Sequence, residues 1–315
     1  MVQQNILVIK LGALGDFIYA AGAMAAIRKH HPYDKITLLT TKPFANMAQQ
    51  SGYFDDIIID KRPKFFDIAG WFSLKKILNA AQFSRVYDLQ NNDRSRLYFK
   101  LFSRKPEWVG TAKGASHRNT SPERSSGHAF YGHQQTLALA GIQNIELDPL
   151  LWMDANLEAY PLHKPYVLIV AGCSPTHPEK RWPIEHFRAI IGKLISHGYQ
   201  PVLIGSKDDA AITAQIAPEF KGFDVLDLTG KTALNEIPAL ARGATCAIGN
   251  DTGPMHMAAM AGCPVVMMFT TQTSKIHKHA PPKTTGVKAF EAYDIGNISI
   301  QTIWDGFQTL ISNRG

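Results

Sequence analysis

Only three cysteines occur in this 315-residue chain, and Cys173, Cys246 and Cys263 share no paired spacing. That excludes a disulfide framework and predicts three reduced core thiols. Long apolar runs are missing as well. No stretch nears the ~20 residues that a membrane-spanning helix needs. The first apolar stretch, Ile6 to Leu11, is interrupted by Lys10 and lacks a basic leader, so it does not read as a signal peptide. A cytoplasmic location is therefore expected. There is no Asp-x-Asp and no His-Glu-x-x-His, and His277-Lys-His279 has no obvious third ligand, so no metal site and no cofactor are expected.

What is present is ordinary globular composition, 45% hydrophobic and 19% charged, in a length that suits two domains of roughly 150 residues each. Lysine and arginine number 33 against 26 acids, a formal charge of +7. That excess favours anionic partners: nucleic acid, phosphorylated substrates or an acidic membrane face.

Short β-branched strands alternate with helical patterns from end to end. Asn5 to Lys10, Lys35 to Thr40, Asp56 to Asp60 and Arg85 to Leu89 predict strands in the first half, with a helix over Asp16 to His30. Between Arg94 and Arg124 the pattern breaks. Eight Lys or Arg against two acids, mixed with Gly, Ser and Pro, predict a functional or partly mobile loop. A helix resumes from His133 to Ala140, and Asp154 to Pro165 is the expected linker. The second half restarts at Tyr166 to Gly172. Strands follow at Pro201 to Gly205, Asp224 to Leu228, Thr245 to Gly249 and Pro264 to Phe269, the last closing the sheet. Helices are expected over Pro183 to His197, Asp208 to Ala217, Ala233 to Arg242 and Ile300 to Ser312. The implied fold class is α/β, two Rossmann-like doubly wound domains facing a central cleft, over 1–158 and 159–298, with a C-terminal helix in 299–315. Ligands of such sheets bind at the carboxyl ends of the strands.

Three constellations could carry chemistry. Lys10-Leu-Gly-Ala-Leu-Gly-Asp16 joins a strand to a helix, and Gly12 and Gly15 let the backbone approach a ligand. A dinucleotide fingerprint fails here, because a third glycine is missing and the second strand ends in Thr40-Thr41-Lys42 rather than a ribose-binding acid. Asp16 either caps its helix or accepts a proton from an attacking hydroxyl. Gly172-Cys-Ser-Pro-Thr-His-Pro-Glu-Lys-Arg-Trp-Pro183 places Ser174, Lys180 and Arg181 before a helix. There they either bind a diphosphate leaving group or form a solvated basic loop. Gly249-Asn-Asp-Thr-Gly-Pro-Met-His256 opens another helix with Thr252 and Gly253. Asp251 would repel phosphates, so it is expected at sugar hydroxyls or as a cap, and His256 is either structural or a ligand contact.

Together with Tyr87-Asp-Leu-Gln-Asn-Asn92, Leu203-Ile-Gly-Ser206 and Asp227-Leu-Thr-Gly-Lys231, these segments resemble the ADP-heptose:lipopolysaccharide heptosyltransferases, glycosyltransferase family nine. The resemblance runs along nearly the whole chain and implies the GT-B fold. It implies metal-independent, inverting transfer of a heptose from ADP-heptose to a lipopolysaccharide core acceptor, with Asp16 as general base. Gly15, Ser174, Lys180, Arg181, Thr232, Asp251, Thr252, Gly253 and His256 would contact the donor, and Gln90, Asn92 and Arg94 the anionic glycolipid acceptor. The family's usual Gly-Pro-Thr-x-Pro segment is replaced here by Thr270-Thr-Gln-Thr-Ser274, and its Pro-Gly-Ala-Ser run by Ala171-Gly-Cys-Ser174. The basic stretch from Arg94 to Arg124, interleaved with Phe99, Leu101, Phe102 and Trp108, either touches an anionic inner-membrane surface or packs those aromatics inward. A GT-B epimerase lacks a reason for the Asp16 motif, and a nucleic-acid-binding module lacks a recognised motif.

Overall fold

The strands are short; those at the centre of each sheet are apolar runs largely buried on both faces, as parallel sheets with helices on either side require, while the edge strands are only partly buried. In the first sheet the strands are β1 (Asn5–Ile9), β2 (Lys35–Thr40), β3 (Asp56–Ile59), β4 (Arg85–Asp88), β5 (Glu107–Gly110) and β6 (His117–Arg118). The computed structural model describes residues 3–282 and 286–312. All pairings of the first sheet are parallel, in the order β3-β2-β1-β4-β5-β6. The chain thus leaves β1 in one direction, returns, and continues from β4 in the other, so the order reverses between β1 and β4. The connecting helices are α1 (Leu14–His30), α2 (Lys42–Gln50), α3 (Ile68–Ala80), α4 (Asp93–Leu101) and α5 (Ala129–Ala138). Helix α1 has no polar stripe. Its side chains from Phe17 to Met24 are all buried, and it packs against α5.

The second sheet repeats the plan with β7 (Tyr166–Val170), β8 (Gln200–Leu203), β9 (Leu226–Asp227), β10 (Cys246–Asn250), β11 (Val265–Thr270) and β12 (Val287–Ala292). Its order is β12-β11-β10-β7-β8-β9, again all parallel, with the reversal between β7 and β10. Its helices are α6 (Ile184–Ser196), α7 (Ala210–Ile216), α8 (Glu236–Gly243), α9 (Gly253–Met260), the short α10 (Ile276–His279) and α11 (Ile300–Ser312). Ile303, Trp304, Phe307 and Leu310 of α11 join the core formed by β7, β10, β11 and α6, so the C-terminal helix is part of this unit.

Two expectations of secondary structure need correction, and the chain divides into compact units at Met1–Asp148 and Pro149–Gly315, whereas the expected domains meet at 158. Arg242 of α8 explains why: its guanidinium donates to the carbonyls of Leu150 (3.3 Å) and Met153 (2.7 Å), tying that segment to the second unit. The stretch from Arg94 to Arg124 is not a loop but holds α4, β5 and β6. Tyr98, Phe99, Phe102 and Trp108 are buried, Trp108 completely, while the charges that masked the pattern lie mostly outward. Val265–Thr270 does not close its sheet, because Val287–Ala292 pairs along its whole length. The three cysteines are buried, as expected.

Candidate functional site

In the first unit the loop after β1 is pinned from both sides. Its Leu11 N–H donates to Gln90 Oε1 at 2.8 Å, and Thr41 Oγ1 donates to the Leu11 carbonyl at 3.1 Å. Gly12 has φ +122°, a conformation that side-chain-bearing residues avoid, and a Cβ there would run into the Phe44 ring. Phe44 stacks on Phe17 with centroids 5.1 Å apart. The loop therefore delivers α1 in one position at the β1/β4 reversal.

Asp16 sits in the first turn of α1. The N-cap is Ala13, with no side-chain cap bond, so capping is not what Asp16 does. Its side chain is exposed, and among the described residues it has no hydrogen-bond partner. Beneath it Lys10 is buried, with Nζ 3.4 Å from the Leu89 carbonyl. Burial pushes the Lys10 ammonium down from its ordinary value, and the charges of Asp16 and Asp88 oppose that. Asp88 is fully buried at the end of β4. Burial pushes its carboxyl up to about 6, against the N–H groups of Asn91 and Gln90 and the charge of Lys10.

A cavity of about 410 Å³ opens nearby, lined by Arg96, Thr111, Lys113, Arg118, Ser121 and Arg124 among others. Arg96 is held by Thr111 Oγ1 (3.1 Å) and Asp93 (2.9 Å). Arg124 is half-buried, and burial first and Arg96 second pull it below the usual arginine value, with Asp88 opposing. Two guanidinium groups that repel each other at a polar cavity form a place for an anion. A larger cavity of about 620 Å³ lies among Phe83, Ser84, Phe102 and Pro106. Those residues precede β4 and β5, so it belongs to the amino edge of the sheet, away from Asp16.

In the second unit the loops after β7 and β10 meet. Asn250 is completely buried at the end of β10. Its Oδ1 accepts from Trp182 N–H (3.1 Å), and its Nδ2 donates to the carbonyls of Ala171 (2.9 Å) and Gly172 (3.1 Å). This clamp fixes the Lys180-Arg-Trp segment over Asp251. Lys180 Nζ donates to Asp251 Oδ2 at 2.7 Å, Ser274 Oγ donates to the same oxygen at 2.6 Å, and His256 Nε2 lies 3.0 Å from Oδ1. Burial pushes the Asp251 carboxyl up, but His256 and Lys180 together outweigh it and hold it well below the usual carboxylate range. Flanking this cluster, Arg181 Nε and Thr252 Oγ1 are buried and unpaired among the described residues. Thr252 is also the N-cap of α9, with no side-chain cap bond.

A family model described as glycosyltransferase family 9 (heptosyltransferase) matches residues 133–297, just over half of the chain. The chain belongs to glycosyltransferase family 9. It is 25% identical over 279 residues to lipopolysaccharide heptosyltransferase 3 of Escherichia coli, covering 81% of this chain and 80% of the relative. It is 22% identical over 285 residues to the lipopolysaccharide core heptosyltransferase OpsX of Haemophilus influenzae, covering 84% and 79%. Among solved structures, the E. coli ADP-heptose lps heptosyltransferase II superposes with a TM-score of 0.77 at 19% identity, covering 99% of both chains. The protein is a glycosyltransferase of GT-B fold.

Within this family 9 chain the expected donor residues other than Gly15 follow strands of the second sheet, toward its carboxyl edge. Lys180, Asp251 and His256 are brought together. Arg181, Thr252 and Gly253 adjoin them in sequence. Ser174 Oγ instead bonds Thr176 Oγ1 at 2.8 Å, and Thr232 is half-buried in the turn after β9. Asp251 was expected at sugar hydroxyls or as a cap, yet both its oxygens are engaged by protein groups. The expected acceptor residues have structural duties: Gln90 holds Leu11, and Asn92 caps α4 through the Ser95 N–H (3.1 Å). Arg94 donates to the Pro63 carbonyl (3.0 Å) and to Tyr98 Oη (3.2 Å). Gly15 lies half-buried in the first turn of α1. Asn250 and Ser274 escaped the sequence reading. Asn250 stood beside Asp251 in a recognised motif and could have been found; Ser274 lies in the segment that departs from the family pattern and carried no signal.

Proposed function

We propose that this family 9 enzyme transfers a heptose from ADP-heptose to a lipopolysaccharide core acceptor, without a metal and with inversion. The observation that carries the reading is Asp16: an exposed carboxylate, without a hydrogen-bond partner among the described residues, presented in the first turn of α1 at a sheet reversal. In the proposed step Asp16 takes the proton of the acceptor hydroxyl, whose oxygen bonds to the anomeric carbon. The bond from that carbon to the diphosphate oxygen breaks, and its electron pair leaves with ADP. Lys180 has two N–H donors left beyond Asp251, and the unpaired Arg181 Nε and Thr252 Oγ1 offer further donors for the phosphates. Preorganised donors of this kind stabilise a growing negative charge without a metal ion. Arg96 and Arg124 suit a carboxylate or phosphate of the acceptor. The names of the relatives supply the heptose and the lipopolysaccharide, and the acceptor's lipid brings contact with the anionic inner face of the inner membrane into the reading.

The test is ADP release from ADP-heptose, with and without a Kdo–lipid A acceptor, in EDTA, for the wild type and Asp16→Ala. Acceptor-dependent release that survives EDTA and vanishes in the variant supports the whole reading. Release abolished by EDTA rejects metal independence, and release unchanged in Asp16→Ala rejects the base.

A further inference from the structure

Four large apolar side chains point outward in one short stretch of the first unit: Phe65 is 80% exposed, Phe66 89%, Ile68 68% and Phe72 68%. They are not a frayed loop. Asp67 Oδ1 accepts from the Gly70 N–H at 2.8 Å and caps α3, Trp71 Nε1 donates to the Lys64 carbonyl at 3.0 Å, and Arg94 holds the Pro63 carbonyl. The rings of Phe65 and Phe66 meet edge to face, with centroids 5.2 Å apart. Helix α3 buries Leu74 and Leu78 and presents Ile68 and Phe72, one turn apart, on its other side. Around these rings stand Lys61, Arg62, Lys64, Lys75 and Lys76, all exposed, and Asp67 is the one acid from 61 to 77.

Contiguous exposed apolar surface marks a binding surface, and its surroundings identify the partner. The centres of protein–protein interfaces are depleted of lysine, whereas here four lysines and an arginine ring the phenylalanines. Aromatic side chains among cations suit the headgroup–acyl boundary of an anionic bilayer, where rings insert and ammonium groups meet phosphates. We propose that residues 61–77 dock this enzyme on an anionic lipid surface. The stretch follows the carboxyl end of β3, the same edge of the sheet from which Asp16 emerges after β1, so a lipid-anchored acceptor and the base share one edge. The assignment rests on the reading of the acceptor as a membrane glycolipid. It also places the lipid contact outside the basic stretch from Arg94 to Arg124, whose aromatics are core.

Flotation of the full chain with phosphatidylglycerol-containing vesicles tests this, with purely zwitterionic vesicles as the comparison. Wild type should float with the anionic vesicles, and each cation removed among Lys61, Lys64, Lys75 and Lys76 should weaken partition roughly fivefold. Phe65→Ser/Phe66→Ser/Phe72→Ser should weaken it at least about tenfold while its circular dichroism and melting curve stay those of the wild type. Turnover of a deacylated, water-soluble acceptor by the triple variant should match wild type, which separates docking from transfer. Patch-dependent flotation in a protein that transfers no heptose would leave the docking standing and reject the transfer reading. Undiminished flotation of the triple variant overturns the proposal. So does sedimentation showing a wild-type dimer that the variant converts to monomer, which would make the patch a contact between copies.

Discussion

Replacing Asp251 by alanine removes the acceptor of three side chains at once: Lys180 at 2.7 Å, Ser274 at 2.6 Å and His256 at 3.0 Å. Lys180 and Asp251 retain 18% and 5% side-chain exposure, so water cannot stand in well for the missing carboxylate. Breaking one partner of a buried ion pair costs about 3–5 kcal/mol. For a unit of this size that corresponds to a fall of roughly 6–20 °C in its melting transition. Asn is nearly isosteric and keeps one acceptor, so Asp251→Asn should cost about half as much. Urea unfolding followed by circular dichroism measures both, and a double-mutant cycle with Lys180→Met should return a coupling of about 1–3 kcal/mol. The pH dependence gives a second reading. Because the native carboxyl is held far below its unfolded value, its stabilisation is fully present above about pH 4 and is lost as pH falls further. The Asn variant should lack that part of the acid slope. An alanine variant within about 1 kcal/mol of wild type, or a coupling near zero, would mean that the cluster does not brace the site.

Asp16→Asn should lower turnover by about 10²–10⁴-fold with little change in melting temperature or nucleotide binding, because Asp16 makes no hydrogen bond among the described residues and acts on the fold only through its charge near Lys10; a variant that melts much earlier would reveal a structural role instead. Asp88 titrates in the opposite sense to Asp251. Its carboxyl is raised to about 6, so its contribution to stability is full below about pH 4 and fades as pH rises through 6, by up to about 3 kcal/mol. Asp88→Asn should flatten stability over that window, and parallel curves for the two proteins would refute the assignment. Arg96→Met and Arg124→Met should each raise KM for an acidic acceptor about tenfold or more, with little change in kcat; equal effects on an uncharged acceptor would remove the anion from the account.

The topology was legible because parallel strands buried on both faces announce themselves as short apolar runs. Asn5–Ile9 and Tyr166–Val170 need no long-range information to be recognised. Where charge and apolar residues share an element the signal fails. Helix α4 and the turn before β5 carry arginines and lysines on the outside of Tyr98, Phe99 and Trp108, and an average over that stretch reads as a polar loop. Val287–Ala292 was missed for a related reason: its residues are only partly buried, and Lys288 and Glu291 break the apolar run. Within the site, the motifs set Lys180 in the loop before a helix, Asp251 just after a strand and His256 one turn into another helix, and each residue lies there in the fold. It could not say which of them would bond to one another. Asp251 was set beside a sugar because a carboxylate repels phosphate. That holds for a lone carboxylate, but not for one neutralised by Lys180 and hydrogen-bonded by His256 and Ser274.

The same topology thus uses two aspartates in opposite ways. At the reversal between β1 and β4, Asp16 stands exposed, without a partner in the described residues, above the buried Lys10 and Asp88. At the reversal between β7 and β10, Asp251 is buried and saturated. A proton acceptor has to keep a lone pair available and reachable by its substrate, and only the first arrangement does so. A carboxylate that accepts from Lys180, Ser274 and His256, and is held far below its ordinary value, is a poor base however close a substrate comes. What it can do is hold a lysine in place with two donors to spare. The proposal of Asp16 as base and Asp251 as brace therefore rests on solvation and hydrogen bonding rather than on motif position alone.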